Sequence, residues 1–259
     1  MNSTDFPNGN VTLTKNDGIG TIEFFHPASN SLPGVILKLL ADTIAEAGND
    51  NEIHVIVIKS SGDRAFCAGA SFDELMSINN EEVGKEFFMG FARVINAMRK
   101  APKFVIGRVQ GKTVGGGVGL ASSVDYCFAT KFASVKLSEL AIGIGPFVVG
   151  PAVQRKLGIS VMSQLAVDAS SWRTADWAES HGLFAQVFES TEEMDGHVEG
   201  LAQKLAKSNP EAMEALKNNF WSGTEHWDEL LEERAAMSGK LVLSEFTRNA
   251  ISAFKAGQR

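Results

Sequence analysis

The chain has 259 residues, 44% of them apolar, enough for a well-buried core in one large domain or two, with no sign of disorder. Its formal net charge of −7 argues against nucleic acid or an anionic membrane as the main partner, because such surfaces need clustered Lys and Arg. No apolar run reaches the roughly 18 residues of a membrane span and the N-terminal MNSTDFPNGN has no leader pattern, so a soluble cytoplasmic protein is expected, with Cys67 and Cys127 as buried thiols.

Taken in order, Gly20 to Phe25 alternates apolar and polar residues and predicts a strand. The turn formers of HPASNSLP lead into a predicted helix over Val35 to Ala47, with Val35 and Leu39 on its apolar side and Asp42 and Glu46 on its polar side. His54 to Lys59, HVIVIK, is a continuous β-branched run that fits a strand covered on both faces, and it delivers the chain to the short loop AFCAGAS. Glu81 to Lys100 predicts a long helix with Val83, Phe87, Phe88, Phe91, Val94, Ile95 and Met98 on one side, ended by Ala101-Pro102. A strand over Lys103 to Gln110, a glycine triplet, a helix start and two strand-like pieces, Tyr126 to Thr130 and Ala133 to Leu137, follow. This alternation predicts a right-handed α/β coil with largely parallel pairing. From Phe147 onward the pattern is helical: PAVQRKLG and VMSQLAVD, a helix, turn and strand in TADWAESHGLFAQVF, two longer helices, and a helical tail over Glu229 to Lys255.

Two stretches offer backbone rather than side chain. Gly115, Gly116 and Gly117 stand between an apparent strand and a helix start, where unpaired N–H groups and roughly half a positive charge favour an anionic oxygen. A glycine triplet after a strand serves tight helix–strand packing equally well. The second stretch, Ala65 to Ser71, follows another strand, and Gly69 leaves Ala70 with an amide at a loop. Two amides on two loops can form an oxyanion hole. One carboxylate stands out, Glu139 in KLSELAIGIG: after a strand and before an apolar loop, burial would raise its pKa toward the range of a proton shuttle. On local grounds it also fits a cap of a short helix after Ser138.

The pairing and order of these loops resemble the enoyl-CoA hydratase/isomerase, or crotonase, family. ADWAESHGLFAQVF is similar to the family's A-x-x-A-x-x-x-GL-x-x-x-V piece, and SEFTRNAISAF to its C-terminal ending. The resemblance covers nearly the whole chain. It implies a crotonase-like α/β spiral of repeated ββα units over residues 1–195, followed by a helical oligomerisation region over 196–259 that makes trimers or dimers of trimers. It implies that Ala70 and Gly116 donate their amides to the thioester oxygen of an acyl-CoA, that Glu139 is catalytic, and that backbone at Ala68, Ser71 and Phe72 meets the CoA. Coenzyme A is then part of the substrate, and no further cofactor and no metal are expected.

The sequence departs from the family pattern at several positions. Hydratases of the family carry a second glutamate three residues after the middle glycine; here that position is Gly119. Ser138 replaces a usual proline and Ser71 a usual aspartate, while Phe147 stands where some relatives have a nucleophilic aspartate. The resemblance therefore implies double-bond isomerisation or hydration of an enoyl-CoA with one carboxylate; thioester hydrolysis and binding without strong catalysis remain open. Asp125 is expected to be structural, and Arg64 is a candidate for the CoA phosphates. Phe87, Phe88, Phe91, Trp172 and Trp177 are candidates for an acyl tunnel as well as for core.

Overall fold

A computed structural model describes residues 8–257; the first residues of the stretch inspected for a leader lie outside them. The chain opens with β1 (Asn10–Asn16) and β2 (Ile19–Phe25), an antiparallel hairpin closed by Asp17 and Gly18, both at positive φ. The first strand is absent from the sequence reading, although Asp-Gly between alternating residues is a strong hairpin signal. In α1 (Gly34–Asn49) the buried stripe is Ile36, Leu37, Leu40 and Ile44, whereas Val35 and Leu39 are exposed, one position off the face expected for them.

After β3 (Val55–Ser60) the chain follows a simple rule. Each strand pair gives its first member to one sheet and its second to another: β3 then β4 (Ala65–Cys67), β5 (Val105–Val109) then β6 (Lys112–Val114), β7 (Tyr126–Thr130) then β8 (Ser134–Lys136). The first pair is followed by α2 (Phe72–Ser77) and α3 (Glu81–Lys100), the second by α4 (Gly116–Ser123), and the third by a short 3-10 turn, Leu140–Ile142. The larger sheet runs β1-β2-β3-β5-β7 and ends with β10 (Gln186–Phe188), all parallel beyond the hairpin. The smaller sheet runs β4-β6-β8, all parallel, and ends with an antiparallel β9 (Arg173–Thr174). The largely parallel pairing agrees with the alternation in the sequence, and the order of elements is the spiral of ββα units that the family resemblance implied.

Helices fill the rest: α5 (Gly150–Val167), α6 (Ala175–Ser180), α7 (Thr191–Ala206), α8 (Pro210–Phe220), α9 (Trp227–Leu241) and α10 (Glu245–Lys255). Gly158 breaks α5 with φ 78°, which separates the two short pieces legible in the sequence. The tail expected as one helix is two, because Ser244 caps a new start by accepting the Thr247 N–H. α9 lies against α3 at a glycine crossing, where a Cβ on Gly84 would stand 2.7 Å from the Gly239 carbonyl oxygen. None of the helices described is long and apolar enough to cross a membrane.

Asp125 is structural, as expected. Its carboxylate accepts the Val105 amide at 2.7 Å and the Trp221 indole at 2.9 Å, and pairs with Lys217 at 3.0 Å, with the two charged side chains only 5% and 1% exposed. This ties α8 to the start of β5. Lys217→Met leaves a buried carboxylate without its cation and is expected to cost about 3–5 kcal/mol. A fall in the urea midpoint with an unchanged slope is the result to look for.

Candidate active site

The parallel order β4-β6-β8 puts three chain exits side by side at the carboxyl ends of those strands. From β4 the chain passes through Ala68 to Ser71, from β6 into Gly115 to Gly117, and from β8 to Glu139. All three expected positions thus fall at one edge of one sheet.

The first loop is held from beneath by Asn30, a buried residue that the sequence reading passed over. Its side chain accepts the His26 amide and donates to the carbonyls of Ser61 and Ala65, while its own carbonyl accepts the Ala68 amide at 3.3 Å. Leu32 brackets Ala70: it donates its amide to Gly69 O and accepts the Ser71 amide. Gly69 has φ 88°, a value that favours glycine, and a Cβ there would stand 3.0 Å from Val114 O and 3.6 Å from Gly116 N. The two amide loops therefore touch. Among the described residues neither the Ala70 nor the Gly116 N–H is taken up by a hydrogen bond.

Gly116 is the first residue of α4, so its amide belongs to the unpaired set at a helix start. A side chain there is impossible without rearrangement, since a Cβ would lie 2.7 Å from Cζ of Phe91. Phe91 is the aromatic that supports this loop; Phe87 and Phe88 are core, Trp177 stacks on His181, and Trp172 lies exposed beneath Lys136 and Lys112.

Glu139 sits over Gly115. A Cβ on Gly115 would stand 2.9 Å from Glu139 Oε1, so the missing side chain makes the space for the carboxyl group. Glu139 directly precedes the 3-10 turn but its side chain makes no capping bond, which removes the local alternative. The residue is half-buried, yet its Oε2 is fully covered and has no hydrogen-bond partner among the described residues. Desolvation outweighs a hydrogen bond from the residue's own backbone and pushes the carboxyl up to about 7. An unsatisfied buried oxygen of this kind is costly to keep and commonly marks function.

Position 119 is closed. A Cβ on Gly119 would stand 2.7 Å from Cβ of Val149, which occupies the place a second carboxylate needs. Val149 is a contribution that sequence reading missed, since nothing in PFVVGP announces which valine turns toward α4. Other candidates play different parts. The Ser71 hydroxyl caps α2 by accepting the Glu74 amide, and the Phe72 ring meets Phe254 of α10 edge-on at 5.0 Å. Arg64 is exposed just before β4, at the opposite end of that strand from Ala70. Phe147 folds over Gly145 at the entry to α5. Both thiols are buried, and burial pushes Cys67 and Cys127 up to about 12, where they are inert.

A model of the enoyl-CoA hydratase/isomerase family matches residues 14–255. The chain belongs to this family. It is 29% identical over 248 residues to the short-chain-enoyl-CoA hydratase of Clostridium acetobutylicum, covering 95% of this chain and 94% of that protein. It is 30% identical over 202 residues to the mitochondrial methylglutaconyl-CoA hydratase of Homo sapiens, covering 76% of this chain and 58% of that one. The crystal structure of an enoyl-CoA hydratase from Bacillus halodurans shares the fold, with a TM-score of 0.86 at 19% identity over 94% of this chain and 99% of that one. The crotonase fold is thus established by sequence and by shape.

The raised Glu139 carboxyl has a consequence for stability. Its folded value of about 7 exceeds the ordinary 4.5, so the folded state holds a proton that the unfolded state sheds between those values. Stability therefore falls as pH rises through that window and stays reduced above it. Glu139→Gln is expected to raise stability on the order of 3 kcal/mol at pH 8, with the gain vanishing near pH 4.5. Thermal melts of both proteins across this range measure it, and a pH-independent difference would contradict the assignment.

Proposed function

We propose that this family member is an acyl-CoA enzyme that moves a double bond in an enoyl-CoA thioester, with Glu139 as the sole proton shuttle. The observation that carries the reading is the Glu139 carboxyl standing over Gly115, its Oε2 covered and without a partner among the described residues, beside two unoccupied amides. In this reading the thioester oxygen lies between the amides of Ala70 and Gly116. Glu139 removes a proton from the α-carbon of a β,γ-enoyl thioester, and the electron pair passes into a dienolate whose oxygen the amides stabilise. The same carboxyl returns the proton at the γ-carbon, leaving the α,β-double bond. No net proton is exchanged with another group, so one carboxylate suffices and no cofactor is needed beyond the CoA carried by the substrate.

Val149 over Gly119 supports isomerisation ahead of hydration, because a water-positioning carboxylate has no room there. Hydration is the second reading, favoured by the names of the relatives, and it requires that Glu139 alone orient the water.

The test is α-proton exchange and product analysis with a panel of enoyl-CoAs in deuterated water. The wild type is expected to exchange deuterium and shift the double bond; Glu139→Gln should lose roughly 10²–10⁴-fold in kcat while retaining CoA affinity. A 3-hydroxyacyl product would select hydration, free thiol would select hydrolysis, and unchanged turnover in Glu139→Gln would remove Glu139 from the chemistry. The base form is required to start the cycle, so kcat/KM should fall below pH about 7, with the apparent pKa set by Glu139.

A further inference from the structure

Ala70 is the one residue of the loop after β4 whose amide is not spent inside the protein. The Ala68 N–H goes to Asn30 O at 3.3 Å, the Gly69 N–H to Cys67 Sγ at 3.4 Å and the Ser71 N–H to Leu32 O at 3.2 Å. Leu32 also donates to Gly69 O at 2.7 Å, so it pairs with Ala70 as in a parallel ladder. In such a pair the bonds run from Leu32 to the two neighbours of Ala70, and the Ala70 N–H points away from Leu32. The direction of this donor is thus set by how firmly residues 68–71 lie along residues 30–32.

That ladder is short, and α2, which follows it, has only six residues. Its far end is fastened by Glu74. Although Glu74 stands in the first turn of α2, its carboxylate reaches across to α1 and accepts the Gly34 N–H at 2.7 Å. Gly34 opens α1, Pro33 before it supplies no side-chain cap, and the first turn of α1 has no acidic residue of its own. The carboxylate therefore meets an orphan amide at the positive end of a 16-residue helix, and both favour an anion. In turn α1 is set into the core by Ile36, Leu37, Leu40 and Ile44. The missing side chain of Gly34 leaves the room, since a Cβ there would stand 2.9 Å from Glu74 Oε1.

We infer that Glu74 is a positioning residue for the thioester chemistry, locking residues 68–74 onto the buried start of α1 so that the Ala70 amide keeps its direction beside Gly116. This role rests on the proposed oxyanion hole, and Glu74 itself touches no substrate. A fixed donor works because nothing reorganises as charge develops on the oxygen. A displacement on the order of 1 Å at such a site costs roughly a hundredfold in rate.

Three variants test it: Glu74→Leu removes the acceptor, Glu74→Gln keeps an acceptor oxygen, and Gly34→Ala crowds the carboxylate from the α1 side while improving helix propensity. The rate to follow is α-proton exchange of butanoyl-CoA in deuterated water, which needs the hole and Glu139 whichever double-bond reaction the enzyme performs. Glu74→Leu is expected to lower the maximal rate roughly ten- to a hundredfold, with the half-saturating concentration changed less than about threefold. Glu74→Gln should retain most of the rate, and Gly34→Ala should fall between the two without loss of thermal stability. Infrared spectra of bound butanoyl-CoA, isotope-labelled at the thioester carbonyl, read the hole directly. The carbonyl stretch should move to lower frequency on the wild type and on Glu139→Gln, and move less on Glu74→Leu. A full shift or a wild-type rate in Glu74→Leu overturns the role and leaves the hole standing; equal losses in Glu74→Leu and Glu74→Gln overturn it too, because the retained acceptor would then hold nothing. No shift on the wild type overturns the hole and the role with it. If Glu74→Leu does not fold, Gly34→Ala decides, and a wild-type rate with a full shift there overturns the role.

Discussion

The constraint on which everything else rests is the parallel register of β4, β6 and β8. Parallel strands in one sheet must leave it at the same edge, so three loops far apart in sequence emerge together. The spiral exists to make this possible. Each turn spends one strand on the larger sheet, which is buried and apolar, and one on the smaller sheet, which is short and ends in an active loop. The larger sheet supplies the packing: Val55 to Ile58, Val105, Ile106 and Val109 are almost wholly buried. The smaller one supplies the positions.

At that edge the chemistry depends on atoms that are absent. Without a Cβ, Gly69 brings one amide loop against the other, Gly116 lies on the Phe91 ring, and Gly115 makes room for the Glu139 carboxyl. A side chain at any of these would separate groups that must meet. The same economy closes position 119, where the missing side chain is replaced by Val149 from a different element. Burial then does to Glu139 what no charged neighbour does: with no donor to Oε2, the proton is held up to about neutral pH.

The C-terminal helices are bound to this arrangement rather than appended to it. α9 meets α3 at the Gly84 and Gly239 crossing, and α3 carries the Phe91 that supports Gly116. α10 reaches the other side, where Phe254 packs on Phe72, Lys255 pairs with Asp73, and Thr247 and Phe246 lie against Gly143, four residues beyond Glu139. The tail thus packs directly against residues that flank the candidate site.

What the sequence by itself determined was whatever depends on near neighbours in the chain. The β-branched run of HVIVIK, the Phe-rich face of α3, the two short pieces that became the arms of α5, and the strand-to-glycine transitions at Gly69 and Gly115 to Gly117 are all local patterns, and family resemblance set Glu139 beside them. The Asp17-Gly18 hairpin was legible too, in a turn signal passed over. Only the tertiary structure decided what occupies space. That Val149 fills the gap at Gly119 and that Asn30 holds up the Ala70 loop are facts about packing between elements distant in sequence. Steric exclusion and desolvation are set by whichever atoms arrive from elsewhere in the chain, and local periodicity carries no record of them.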